Sequence, residues 1–205
     1  MTLDRRNHWQ KIYSDRQSNE VSWFQSYPAI SLRMIEQTKI SKHSRIIDVG
    51  GGASVLVDHL LQLGFNQLSV LDIAANALDA AKQRLADQAE KVNWIEADIT
   101  QFQPIEKYDL WHDRAVFHFL TQASEQKAYV NVLKQSMAKD GFVIIASFSV
   151  GGPEKCSGLP IVQYDESKIK AVLGDEFRLL EICSEVHITP SKQQQDFSYF
   201  LFQYL

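Results

Sequence analysis

The spacing of hydrophobic positions changes period along this chain. From residue 45 onward, short apolar runs alternate with stretches whose apolar residues recur at helical intervals. RIIDVG reads as a short strand, and ASVLVDHLLQLG as a helix closed by Gly64. LSVLDI is a second strand, followed by AANALDAAKQRLADQ, a segment rich in good helix formers. VNWIEADI and YDLWHD read as the third and fourth strands. A helix is predicted over 122–138, ending near Gly141, with FVIIASFSV as a fifth strand. Strands separated by helices predict parallel neighbours, because a parallel pair needs a connection of about a dozen residues or more.

The end of the chain breaks this rhythm. FRLLEICSEVHI and DFSYFLFQYL are strand-like runs joined only by the short polar stretch TPSKQQQ, which suits an antiparallel hairpin. Phe197, Tyr199, Phe200 and Phe202 in the last run read as core and sheet surface. At the other end, HWQKIYSDRQ and AISLRMIEQTKI read as two helices separated by EVSWFQSYP. This segment precedes the sheet and is too aromatic for a solvated tail, so it reads as a flap. Together these elements predict an α/β fold: a doubly wound, seven-stranded, mostly parallel sheet with a C-terminal antiparallel hairpin.

Composition narrows the class. The 205 residues are 45% hydrophobic, enough for a sizeable core in one domain. No apolar run approaches the roughly 20 residues of a membrane span, and MTLDRRNHWQ lacks the apolar core of a signal peptide. Cys156 and Cys183 are too few for a disulfide framework, so a cytoplasmic location is expected. The net charge of −4 carries no footprint for nucleic acid, and neither a membrane nor a metal is expected as a partner.

The chemistry begins at the turn after the first strand. A dinucleotide fingerprint needs three glycines, G-x-G-x-x-G. Gly50 and Gly52 fill the first two places, but Val55 stands in the third. The stretch fits D-x-G-x-[GAS], with Asp48, Gly50, Gly52 and Ser54. A carboxylate here would repel a pyrophosphate and complement the ammonium of an aminoacyl ligand such as S-adenosylmethionine. No Gly-Lys-Ser/Thr follows, which excludes a P-loop. Asp72 closes the second strand beside Ile73, where an acid can accept from both ribose hydroxyls. Capping the following helix is its plainer role, and the two can coexist. Asp98, beside Ile99, closes the third strand within reach of an adenine amino group; a simple turn aspartate is the plainer alternative. Three acids at successive strand ends meet at the edge where open α/β sheets bind ligands.

DVGGGAS, VLDIA, EADI and YDLWHDRAVFHFL, in this order, resemble the class I S-adenosylmethionine-dependent methyltransferases. More narrowly the chain resembles the small bacterial type 12 methyltransferases, whose W-x-x-x-Y and S-W-F segments correspond to Trp9, Tyr13 and Ser22-Trp23-Phe24. The resemblance runs from about Trp9 to Tyr204. It implies S-adenosyl-L-methionine as cofactor, held by Asp48, Gly50, Gly52, Asp72 and Asp98, with Tyr13 and Trp23 near its methionine end. The cofactor set expected is completed by Ser54, Ile73, Ile99 and His112. Gly51, where many members carry cysteine, is expected to contribute backbone only. The organisation implied is a single domain (1–205) with a flap (1–40), a cofactor-binding core (45–149), and a substrate loop with closing hairpin (150–205).

The fourth strand points toward the transferred methyl. In place of the [DN]-P-P-[YFW] of many nucleobase and glutamine methylases stand His112, Asp113 and Arg114, which with the acidic charge argues against a nucleic-acid substrate. Asp113 is expected to take a proton or hold a cationic acceptor, and His112 or His118 to act as base near neutral pH. Arg114 is expected to clamp an anionic group. A structural Asp113–Arg114 pair, with Asp113 capping the next helix and His118 packing against it, is the competing reading. GGPEKCSGLPI, 151–161, is expected to wall the acceptor site, with Cys156 as a plain loop cysteine. The acceptor expected is a small molecule, with a protein lysine as the alternative, and a non-catalytic cofactor binder as the rival from another class.

Overall fold

A computed structural model describes residues 4–205. Its main sheet is formed by β1 (Arg45–Val49), β2 (Gln67–Asp72), β3 (Val92–Glu96), β4 (Tyr108–Arg114), β5 (Met137–Phe148), β8 (Phe177–Ile188) and β9 (Gln194–Tyr204). The strand order is β3-β2-β1-β4-β5-β9-β8. Pairing is parallel from β3 to β5, while β9 runs antiparallel to both β5 and β8. This is the doubly wound sheet with a closing hairpin that the hydrophobic pattern predicts.

The period-two alternation of each strand feeds two cores, one on either face. Ile46, Val70, Leu110 and Ile144 face α2 (Ala29–Gln37), α3 (Leu56–Gln62) and α4 (Ala75–Leu85). Their neighbours Ile47, Leu71, Trp111 and Ile145 face α5 (Ala123–Ser136) and α6 (Glu166–Leu173). Burial on both faces is why these strands read as nearly continuous apolar runs. The order reverses between β1 and β4, so their carboxyl ends open a crevice at the switch point.

Three local features differ from the sequence expectation. The helix predicted to end near Gly141 stops at Ser136, and β5 begins at Met137. Asp140 at φ 62° and Gly141 make an irregular start to that strand, so the glycine marks a backbone distortion, not a helix end. Helix α6 lies in the connection before the hairpin; its cap, Asp165, accepts from Lys168 N at 2.8 Å. The 151–161 loop also contains a small hairpin of β6 (Lys155–Cys156) and β7 (Leu159–Pro160). Among the described residues, no helix is long and apolar enough to cross a membrane.

Helix α1 (Arg5–Asp15) buries none of its residues fully and is tied down mainly by polar contacts. Arg5 pairs with Glu125 at 2.7 Å, and Arg6 with Glu96. Asn76, at the start of α4, donates its side-chain nitrogen to Ser14 Oγ at 2.8 Å and to Gln10 O at 3.3 Å. Glu125 also closes the capping box of α5, so one carboxylate serves both helices.

Candidate active site

The turn after β1 is built around the acids beneath it. Gly50 takes φ +68°, a conformation open to glycine at little cost, and donates its N–H to Leu71 O at 2.7 Å. A Cβ at Gly52 would lie 2.7 Å from the Ala77 Cβ and overlap the Asp72 carboxylate. Gly51 is more constrained than the sequence suggests: a Cβ there would overlap the Asp48 carboxylate, so a side chain fits only if that group moves. Ser54 accepts from Leu56 N at 3.1 Å and serves the start of α3.

Asp48 is buried at the end of β1. His112, opposite it on β4, donates Nδ1–H to Asp48 Oδ1 at 2.7 Å. The other ring nitrogen accepts from Ser31 Oγ on α2 at 2.8 Å, the tautomer this network implies. Asp48 Oδ2 has no hydrogen-bond partner and is shielded from solvent. An unpaired buried carboxylate oxygen is costly unless a donor arrives. Asp48 lines a recess with Gly50, Gly51, Ser54, Tyr13 and Trp23, and an aminoacyl ammonium bound there would bring a donor to this carboxylate.

Tyr13, Trp23, Gly50 and Arg114 also line the adjoining cavity, which runs on to Asp72, Ile73, Asp98 and Ile99. Asp72 lines the cavity and accepts from Ala74 N at 2.8 Å; the N-cap of α4 is Ala74 itself, without a side-chain cap, so Asp72 closes the turn before the helix and does not cap it. Burial, reinforced by the nearby Asp48 charge, pushes its pKa up to about 7. Asp98 accepts from Thr100 N at 2.8 Å and Thr100 Oγ1 at 2.7 Å through one oxygen. The two cavities thus give a path from an orphaned carboxylate, past a glycine turn, to two further acids. That donor and acceptor set fits the ammonium, ribose and adenine of S-adenosylmethionine.

Above the turn, Trp9, Tyr13 and Trp23 form an aromatic cover. Trp9 meets Trp23 edge-on at 5.6 Å and Phe119 at 5.0 Å, while Tyr13 meets Trp23 at 6.2 Å. Burial raises the Tyr13 hydroxyl pKa far above its ordinary value, and the Asp72 charge adds to it. Cys156, on the β6–β7 hairpin, lines the same cavity, its thiol pushed up to about 11 mainly by burial.

The fourth-strand residues separate. Arg114 reaches the cavity, but its guanidinium is largely engaged. Nε donates to Tyr199 OH at 2.8 Å, one terminal nitrogen donates to Trp23 O at 2.9 Å, and the group stacks 4.4 Å from the centroid of Phe197. Its other terminal nitrogen lies 3.6 Å from Glu185 without a hydrogen bond. Asp113 faces the opposite core and lines neither cavity. It accepts from Val116 N at 2.9 Å, Phe117 N at 3.3 Å and Tyr129 OH at 2.7 Å. Both of its oxygens are occupied, which corrects the expectation that it handles the acceptor's proton. Its partner Tyr129 also receives the Trp111 indole N–H at 2.9 Å.

The two histidines expected as bases are held in different surroundings. Both ring nitrogens of His112 are engaged, and burial depresses the His118 pKa to about 3. His118 is enclosed by Phe119 and Phe148, with neither ring nitrogen bonded. Sequence reasoning missed Ser31, Arg5 and Phe119 as residues of this region. A serine among Leu32, Met34 and Ile35 on the buried face of α2 is the one signal that pointed to Ser31.

Known proteins share this fold. A Methyltransferase domain family model of type 12 matches residues 47–143. The eEF1A lysine and N-terminal methyltransferase of Bos taurus is 23% identical over 75% of this chain and 21% of its own length. The trans-aconitate 2-methyltransferase of Rhizobium leguminosarum bv. trifolii is 33% identical over 42% of this chain and 33% of its own. The chain therefore spans only a minor part of these curated relatives. The crystal structure of the N-methyltransferase NodS from Bradyrhizobium japonicum, solved with S-adenosyl-l-homocysteine, superposes with a TM-score of 0.70 at 18% identity, covering 95% of this chain and 97% of that one. Residues 47–143 of this chain thus match a methyltransferase domain, its doubly wound sheet has the fold of the solved S-adenosylmethionine-dependent methyltransferases, and the acids at its carboxyl edge fit S-adenosyl-L-methionine as cofactor.

Proposed function

We propose that this protein transfers a methyl group from S-adenosyl-L-methionine to a small-molecule acceptor. One observation carries the choice of acceptor: the acids lining the two cavities are Asp48, Asp72 and Asp98. In this reading all three are committed to the cofactor. Asp48, oriented by His112 and Ser31, holds the ammonium; Asp72 takes the ribose hydroxyls and Asp98 the adenine amino group. No carboxylate lining these cavities is then left to align a lysine ammonium, and Asp113 is sealed behind β4.

The bound cofactor supplies an electrophilic sulfonium methyl. The chain's own residues position and desolvate. Trp9, Tyr13 and Trp23 exclude water from one side, and the β6–β7 hairpin with Cys156 closes another. Arg114 ties Trp23 to the closing hairpin, holding the aromatic cover in place. No base among His112, Asp113 and His118 is free to act, so the acceptor is one that attacks in the form in which it binds. Much of the rate then comes from alignment, worth roughly 7–11 kcal/mol in well-oriented systems.

The test is transfer of isotopic methyl from labelled cofactor into a cell extract separated into small-molecule and protein fractions. Label in the small-molecule fraction is expected. Label confined to protein would replace this acceptor class with the protein alternative. Cofactor binding without turnover in either fraction would favour a non-catalytic binder.

A further inference from the structure

The two edges of the sheet are unequal. β3 is five residues long, whereas β8 has twelve. A long open edge is a template for another strand, and proteins usually blunt it with lysine, proline or inward-pointing charge. From Glu181 to Ile188 there is neither lysine nor proline, and the bulge in this strand lies at the start of that run, at Leu180 between Leu179 and Glu181. Both glutamates face the side covered by the N-terminal segment, where Glu181 pairs with Arg33 and Glu185 accepts from Gln25. On the other side Leu180, Ile182, Val186 and Ile188 are 42–60% exposed, a continuous apolar stripe interrupted only by Ser184.

We propose that β8 pairs antiparallel with β8 of a second copy of this chain, about a two-fold axis at Ser184, joining two seven-stranded sheets edge to edge. This inference is independent of the acceptor. The occupant follows from the strand's own symmetry. With the axis at Ser184, Ile182 faces Val186 and Leu180 faces Ile188 on the exposed side, while Glu181 faces His187 on the other. An axis at Cys183 sets Glu181 against Glu185 twice, and an axis at Glu185 opposes that residue to itself. Directly opposed like charges are unfavourable. An axis at Ile182 leaves Ile188 beyond the paired region and sets Leu180 against Ser184. The Ser184 register alone among these joins every apolar residue of the stripe to another without a like-charge pair.

The paired stretch, Leu180 to Ile188, is about 30 Å long at roughly 3.3 Å per residue. Such a contact lies toward the low end of specific interfaces, near about 1,200 Å² in total. A reversible, concentration-dependent dimer is therefore expected, its affinity set by how well the apolar stripe packs and not by its area.

Sedimentation velocity on the full chain, over a wide concentration range, should show this reversible dimer. In a Cys183→Ser background, Ser184→Cys should cross-link on mild oxidation, because opposed Cα atoms of an antiparallel pair lie about 4.5–5.5 Å apart, a span that a disulfide bridges. Ile182→Cys in the same background should not, since its counterpart faces Val186. Val186→Lys should give a monomer with unchanged cofactor binding. A monomer at every concentration would overturn the proposal. So would a dimer that survives Val186→Lys, cross-linking through Ile182→Cys, or no cross-link through Ser184→Cys.

Discussion

Replacing Asp72 with asparagine should make this protein more stable and less able to hold its cofactor. Asp72 is 6% exposed, and burial followed by the Asp48 charge moves its pKa from 3.8 to about 7. Between those values the folded chain binds a proton that the unfolded chain has released. Stability from this group therefore falls as pH rises through that window, and stays low above about 7. At roughly 1.4 kcal/mol per pH unit, the gap corresponds to about 4 kcal/mol held against folding at alkaline pH. Asparagine keeps an acceptor for Ala74 N, which now lies 2.8 Å from Oδ1, and sheds the buried charge. Allowing for relaxation and water, a gain of about 1–3 kcal/mol is expected near pH 8, seen as a melting temperature raised by about 5 °C. The gain should shrink toward pH 4. Binding of S-adenosylhomocysteine should weaken at least about tenfold, because charge-assisted bonds to the ribose hydroxyls are worth roughly 1.5–3 kcal/mol each before compensation. Melting curves without ligand across pH, with titration calorimetry of both proteins, measure the two effects. An unchanged or lower melting temperature near pH 8 would refute the electrostatic reasoning, and unchanged affinity would remove Asp72 from the ribose site.

Two further substitutions separate the fourth-strand residues. Asp113→Ala removes the acceptor for two backbone N–H groups and Tyr129, so it should cost roughly 2–4 kcal/mol of stability in denaturant melts while the folded fraction keeps its cofactor affinity. A stable variant that lost turnover alone would return Asp113 to a catalytic role. Arg114→Lys lacks the planar fork that joins Tyr199, Trp23 and Phe197, so hydrogen exchange should quicken around 18–28 and cofactor release should speed up about tenfold or more. Unchanged exchange and release would show that the cover does not depend on this anchor.

The sequence by itself determined the winding of the sheet and the location of its ligand edge. Strand runs such as RIIDVG are apolar on both faces because both faces are buried, and their spacing leaves room only for helical crossovers. The acids Asp48, Asp72 and Asp98 were legible for the same reason: each follows or closes such a run, so topology alone carries them to one edge. The closing hairpin was legible because TPSKQQQ is too short to cross over. Helix α6 escaped because ESKIKAVL is only eight residues long, too short to declare its period between loop and strand.

What tertiary structure alone decided is the direction in which each fourth-strand side chain points. His112, Asp113 and Arg114 are consecutive, and side chains on a strand alternate between faces. Which face holds the crevice and which the α5 core depends on the register of β4 against β1 and on the placement of distant partners. Asp113 meets Tyr129 from α5, and Arg114 meets Tyr199 and Glu185 from the closing hairpin. Likewise Ser31 reaches His112 only because α2 packs across the end of the sheet. Local spacing carries no information about contacts made by residues so far apart in the chain, and those contacts turn an acid expected to act on substrate into the cap beneath it.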